Sequence, residues 1–321
     1  MKLIEIDIPE QDLGKRLDRV LKQYYSEYSR NKLTSLIKDR KVYIGKNIID
    51  DPSFIIKEQC KIFLKFDLLK KNIKNLELKL NIIFEDEHLI VLNKPAGILT
   101  HCTKDNTNTS IVDLLKVNKI TLYKAEDSLR DGIVHRLDKD TSGLIVLDKN
   151  KLSYKGLMNI FARREVTKVY EAFCWGVPTP IAGIINKPLT DYINRKKISL
   201  NRNGKQAITE YKVKKNYNNY FSFLECKILT GRTHQIRVHL KSEKCPLIGD
   251  SLYSRDRNLP SAIAISSKLS KSISHFKRQA LHSKKLIFSH PVSNNYMSFS
   301  SDMPEDMEVL EKALFENLKI I

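Results

Sequence analysis

The chain is 321 residues long and 41% hydrophobic, with 56 Lys and Arg against 37 Asp and Glu and a formal net charge of +19. That length can bury a sizeable core and suggests two domains, and the cationic balance is expected of a protein that neutralises phosphates. No apolar run exceeds four residues and the stretch Met1 to Asp7 lacks the continuous apolar segment of a signal peptide, so membrane insertion and secretion are set aside and a soluble, cytoplasmic protein is expected. Cys60, Cys102, Cys174, Cys226 and Cys245 are odd in number and contain no Cys-x-x-Cys pair, which argues for reduced thiols over a disulfide framework or a zinc ribbon.

In chain order, Ile4, Ile6 and Ile8 alternate with Glu5 and Asp7 as a half-buried strand does. Leu17, Val20, Leu21 and Tyr24 then recur at helical spacing, with Lys15, Arg16, Arg19 and Lys22 on the opposite face. A second helix is expected after Ser29 as N-cap, with Leu33, Leu36 and Ile37 as its apolar stripe. Val42 to Ile44, a turn at Gly45-Lys46, and Ile48-Ile49 read as a hairpin. Between Gly14 and Lys41 stand nine basic residues against three acidic ones, a patch and not a smear. Two short basic helices leading into a hairpin resemble the alpha-L RNA-binding domain named for a small-subunit ribosomal protein. The resemblance makes Arg16, Arg19, Lys32 and Lys38 candidate phosphate contacts, against the plainer reading of a solvated helix face. The family's helix-ending glycine falls at Arg40, which lacks that residue's free access to positive φ. This domain is expected over 1–66, a linker of mixed charge and leucine over 67–79, and a second domain over 80–321.

From Leu80 onward strand signals dominate. Ile82-Ile83-Phe84, an acidic turn Glu85-Asp86-Glu87 and Leu89 to Leu92 lead into Asn93-Lys94-Pro95-Ala96-Gly97. Next comes Gly132-Ile133-Val134-His135-Arg136-Leu137-Asp138-Lys139-Asp140-Thr141-Ser142-Gly143, a knot of polar groups between two apolar segments. Such a knot beside a buried strand is where a scaffold presents reactive groups, although Asp followed by Thr and Ser three and four residues later is also the pattern of a capping turn. Further along lie Lys168-Val169-Tyr170-Glu171-Ala172, an Asn203-Gly204 signal read as a hairpin turn between Lys197 and Tyr211, and a strand from Phe221 to Leu229. Leu229-Thr230-Gly231-Arg232-Thr233-His234-Gln235-Ile236-Arg237 opens a helix, and Gly249-Asp250-Ser251-Leu252-Tyr253 follows. The segment Arg255 to Lys277 shows no clear period and reads as a surface insertion, whereas Met307, Leu310, Leu314 and Leu318 after Pro304 predict a packing helix.

In order and spacing these blocks resemble the RluA family of RNA pseudouridine synthases, and the run Phe276 to His282 and the ending from His290-Pro291 through Met303 to Met307 resemble its RluD-type branch. Departures are Ser254 and Lys244 where glycines are usual and Cys102 where proline is common. The resemblance implies isomerisation of uridine to pseudouridine: the N1–C1′ bond breaks, the base turns, and C1′ rejoins C5 with no net change in atoms. It makes Asp138 the catalytic carboxylate, acting as nucleophile at C1′ or C6 or as base toward the ribose. Tyr170 matches the tyrosine that stacks on the uracil and is a candidate to take the C5 proton, its plain alternative being a core aromatic. Arg237 matches the arginine that pairs with the catalytic Asp and holds it anionic. Arg136 would fill the space left by the flipped base, or form a structural salt bridge.

Histidines 101, 135, 234, 239 and 282 show no familiar zinc spacing, and the 11 glycines never stand two apart, which removes Gly-x-Gly-x-x-Gly cradles. No metal or organic cofactor is implied. A base methyltransferase would need such a cradle, and a non-catalytic assembly factor would not need Asp138, Tyr170 and Arg237 together. The resemblance implies large-subunit (23S) ribosomal RNA or its assembly intermediates as partner, with transfer RNA as the alternative, and a monomer. The expected fold is α+β: a long mixed, mostly antiparallel sheet flanked by helices, preceded by the small alpha-L domain.

Overall fold

The computed structural model describes residues 2–25, 30–45, 47–66, 80–101, 109–125, 131–191, 197–259 and 267–321. By its contacts the chain divides into two compact units, residues 1–78 with 101–118, and residues 79–100 with 119–321. Ser29, Lys46, the expected linker over 67–79 and Cys102 lie outside the described residues.

In the first unit, β1 (Lys2–Asp7), α1 (Leu17–Tyr24), α2 (Arg30–Lys38), β2 (Val42–Ile44), β3 (Asn47–Ile49) and β4 (Lys61–Phe66) form an antiparallel sheet of order β1-β4-β2-β3 with two helices. The helical stripes meet as their spacing requires: Leu17, Val20 and Leu21 of α1 share one core with Leu33, Leu36 and Ile37 of α2. Arg40 ends α2 in the left-handed region, at φ 59. Its N–H reaches Ile37 O at 2.9 Å and that of Lys41 reaches Leu36 O at 3.0 Å, so the chain makes the glycine-type helix exit without a glycine. A short helix, α3 (Ile111–Val117), starts with a capping box in which the Ser110 hydroxyl and the Asp113 carboxylate satisfy each other's backbone N–H.

The second unit is built on the strands β5 (Asn81–Glu85), β6 (Leu89–Lys94), β7 (Ser142–Asp148), β8 (Thr167–Trp175), β9 (Ala182–Asn186), β12 (Ile208–Tyr217), β13 (Phe221–Ile228), β14 (Leu281–Ser289) and β15 (Tyr296–Ser300). They form a nine-stranded sheet of order β5-β6-β7-β14-β8-β13-β12-β9, with β15 alongside β14. Every pairing is antiparallel except β7 with β14. Strand β7 is buried along its whole length, as its unbroken apolar run requires. Helix α4 (Lys151–Ala162), capped by Asn150, lays Leu157 against Leu144 and Val146. Lys94, Gly143, Ser283 and Tyr170 stand in one row across β6, β7, β14 and β8. A Cβ on Gly143 would come within 2.4 Å of Ser283 O, so only glycine lets β7 and β14 close at this point.

Two expectations are corrected. Asn203-Gly204 does not turn a hairpin between Lys197 and Tyr211: β11 (Ile198–Leu200) pairs with β10 (Leu189–Asp191), not with β12. Gly204 is there for proximity, since a Cβ would meet Leu189 O at 2.5 Å. The segment after Arg255 is no mere insertion, because α6 (Ser267–His275) buries Leu269 and Ile273, and Phe276 follows into the same core. They pack with Met307, Leu310 and Leu314 of α7 (Glu305–Asn317), the helix predicted after Pro304. Among the described residues no helix is long and apolar enough to cross a membrane.

Candidate active site

The loop before β7 is held by backbone bonds on both sides of Asp138. It first runs along the edge of β7, where Asp148 N–H donates to Gly132 O at 2.9 Å and Ile133 bridges Leu147. At Val146 the partner is a side chain: its N–H donates to His135 Nε2 at 3.0 Å, and the ring stacks on Phe161 with centroids 4.8 Å apart. Burial, aided by the charge of Lys168, pushes His135 down to about 3, so the ring is neutral and serves as a strand acceptor. The Thr100 hydroxyl donates to Leu137 O at 2.9 Å, and Thr141 N–H closes a turn onto Asp138 O at 3.1 Å. The turn is thus closed by the backbone alone, and the Asp138 side chain faces Arg237 instead of capping it.

Lys94, which in the sequence is no more than one letter of a loop, anchors the other flank. Its fully buried ammonium donates to the carbonyls of Pro95, Ile98 and Lys139 at 2.9, 2.9 and 3.0 Å. Burial pulls it down to about 7, against the charges of Asp140 and Asp138. The Asn-Lys-Pro loop and the Asp138 loop are thus tied by one side chain.

Asp138 presents its carboxylate to the start of α5 (Gln235–Ser242). Arg237 Nη1 donates to Asp138 Oδ2 at 3.0 Å, and the same guanidinium grips Asp250 in a fork, Nε to Oδ2 at 2.7 Å and Nη2 to Oδ1 at 2.9 Å. Asp250 is 1% exposed and also accepts the N–H groups of Leu252 and Tyr253. Burial works against the Arg237 charge, but the Asp250 hydrogen bonds and the two carboxylates outweigh it and raise its pKa. His234 caps α5 in the left-handed region, its Nε2 3.8 Å from Asp138 Oδ2 and its Nδ1 2.9 Å from the Tyr253 hydroxyl.

Tyr170 lies on β8 opposite Ser283, 6% exposed. Burial and the nearby Asp138 charge push its phenol up, so it keeps its proton at neutral pH. Asp138, Tyr170 and Arg237 are therefore brought together, from a loop, a strand and a helix. Arg136 is exposed on the same loop, near enough for its charge to bear on His234. In the other unit, Arg19 and Lys38 are exposed, whereas Arg16 joins Arg30 on the buried Asp18, at 3.1 and 2.7 Å. The side chain of Lys32 lies outside the described residues. Sequence reasoning missed Lys94, Asp250, His234 and the strand-acceptor role of His135. Two more histidines are internal: His239 lies between Thr209 and Lys187 O, and His282 between Ser142 and Ser301.

Comparison with known proteins finds relatives for both units of the chain. The sequence profile of RNA pseudouridylate synthases matches residues 88–242, and that of the S4 domain matches residues 15–59. "Ribosomal large subunit pseudouridine synthase D" of Zymomonas mobilis is 36% identical over 97% of both chains. Its namesake from Vibrio cholerae is 31% identical over 98% of this chain and 95% of its own. "Uncharacterized RNA pseudouridine synthase YlyB" of Bacillus subtilis is 30% identical over 99% of this chain and all of its own. Among solved structures, human RNA Pseudouridylate Synthase Domain Containing 4 superposes with a TM-score of 0.58, at 25% identity over 78% of this chain and 97% of its own. With its N-terminal S4 domain and its mixed sheet, the chain belongs to the RNA pseudouridine synthase family.

Proposed function

We propose that this enzyme converts specific uridines of large-subunit ribosomal RNA to pseudouridine, with Asp138 as the reacting carboxylate. The observation that carries the reading is the 3.0 Å contact from Arg237 to Asp138, made by a guanidinium already fixed on Asp250. A guanidinium so fixed holds the carboxylate in place at the site of a flipped base. Tyr170 supplies the face on which the uracil stacks, Arg237 holds Asp138, and Arg136, exposed on the same loop, fills the gap left in the RNA helix. Residues 1–66 act as the RNA-binding module and 80–321 as the isomerase. The substrate class is supported by the names of the relatives, which refer to the large ribosomal subunit.

The test is Asp138→Asn, read by carbodiimide labelling and reverse-transcription stops on ribosomal RNA. Pseudouridine formation should vanish while RNA affinity stays within a few-fold, because the reacting group contributes little to phosphate contact. Asp140→Asn, two residues on, should retain activity; the opposite pattern would overturn the assignment. Labelling confined to transfer RNA would move the substrate to that class.

A further inference from the structure

The isomerisation asks for more than a held carboxylate and a stacking face, because a proton has to move. The N1–C1′ bond breaks with its electron pair passing to N1, and C5 joins C1′ through the C5=C6 pair. C5 must then lose its proton, the C–H pair restoring C5=C6, and N1 must gain one. The acceptor has to be a base at the site with a free lone pair at neutral pH. Burial pushes the Tyr170 phenol up and favours its protonated form, which leaves room for a second base beside Asp138.

His234 has the required geometry. Its backbone, at φ 52, is in a region non-glycine residues seldom enter and which concentrates at functional sites. The Gln235 side chain braces this turn: its Oε1 accepts the Thr230 hydroxyl at 2.7 Å and the Arg232 N–H at 3.0 Å. Its Nε2 donates to Ile208 O at 2.9 Å and to Thr209 Oγ1 at 3.0 Å. The ring then stands edge-on to Tyr253, with centroids 5.7 Å apart.

The tautomer follows from the Tyr253 hydroxyl. This oxygen accepts Ile198 N–H at 2.9 Å, reaches Ile198 O at 3.3 Å and lies 2.9 Å from His234 Nδ1. One donor and two lone pairs satisfy all three contacts only if Tyr253 donates to Ile198 O and accepts a proton from Nδ1. Nε2 is then bare and faces Asp138 Oδ2 across 3.8 Å. Two acceptors then stand side by side with no hydrogen between them. We propose that His234 is a second catalytic residue, whose Nε2 takes the C5 proton of the rejoined uracil and delivers it to N1, a transfer that balances without any further reactant. The charged groups bearing on the ring are Asp138 and Asp250, which favour protonation, and Arg237 and Arg136, which oppose it. Burial is the largest influence and holds the imidazole below its ordinary range, ready to accept.

The proposal rests on Asp138 being the reacting carboxylate. It is tested with the full chain and an RNA stem-loop carrying the target uridine, under single-turnover conditions. His234→Asn keeps a residue that tolerates left-handed backbone and removes the base. Pseudouridine formation should fall about 100-fold or more, and the isotope effect of deuterium at C5 should rise above the wild-type value. With 5-fluorouridine, which has no C5 proton to lose, formation of the C5-linked product should run at the wild-type rate. The wild-type rate should fall with acid below pH 6.5, as Nε2 fills, and this limb should disappear in the variant. Equal loss on uridine and 5-fluorouridine would mean that His234 only places Asp138 and would overturn the proposal, as would unchanged turnover. RNA affinity reports folding, and His234→Gln is read in the same assays where the Asn variant does not fold. A wild-type chain that makes no pseudouridine refutes the functional reading; one that makes it despite His234→Asn refutes only the role of His234.

Discussion

A single guanidinium performs two jobs here, and they can be separated. Arg237, its side chain 6% exposed, neutralises the fully buried Asp250 and steadies Asp138. Arg237→Met should cost about 3–5 kcal/mol in urea denaturation, because Asp250 is left as an uncompensated buried charge. Adding Asp250→Asn should restore much of that stability, since the amide oxygen still accepts the Leu252 and Tyr253 N–H groups. Turnover should stay abolished in both variants, as no guanidinium then faces Asp138; recovered turnover in the double variant would show that Arg237 is only structural. The motifs that carry Asp138, Arg237 and Tyr170 were legible because each stands contiguous in the sequence, and the contact of Arg237 with Asp138 follows from their folding together. Asp250 and Lys94 were not, since a fork spanning 13 residues or a lysine reaching across 45 leaves no local pattern. His135 was legible as a motif letter, but its work is to stand in for a missing strand, which becomes visible only beside β7.

At the level of elements, Arg40 shows the helix exit carried out by an unfavourable residue. A left-handed non-glycine costs about 1–2 kcal/mol, and the extra chain freedom of glycine returns about 0.5–1 kcal/mol of that. Arg40→Gly should therefore raise stability by about 0.5–1 kcal/mol, seen as a higher melting temperature for the first unit. The 3.6 Å contact of Arg40 with Asp50 offsets little, both side chains being more than half exposed. A lower melting temperature would mean that the arginine makes a contact worth more than the strain. The misread elements share one cause. In α6, Ser and Lys outnumber the apolar residues, so the buried Leu269 and Ile273 fall below any periodic signal, and Asn203-Gly204 carries a hairpin's letters in a place where glycine serves close approach.

For the whole molecule, charge and topology act at different ranges. The net charge of +19 favours any RNA, but only solvent-facing cations can release counterions from it. Arg19→Gln with Lys38→Gln should lower the slope of log affinity against log salt by about 0.7 to 0.9 for each phosphate no longer neutralised, with turnover at saturating RNA unchanged. Arg16→Gln should instead loosen the fold around Asp18, whose carboxyl burial would raise and the two guanidiniums hold below the ordinary range. An unaltered slope in the double variant would make the patch a solvated face. The α+β class was legible from the order of the motifs. The strand order was not, because it joins segments far apart in sequence that no window of residues contains.

Strand β14 is the clearest case of such joining. It lies between β7, which continues the Asp138 loop, and β8, which carries Tyr170, and those two strands share no hydrogen bonds of their own. A growing chain therefore carries the Asp138 loop and the Tyr170 strand before the strand that lies between them exists, so this part of the sheet can close only once residues 281–289 have been made.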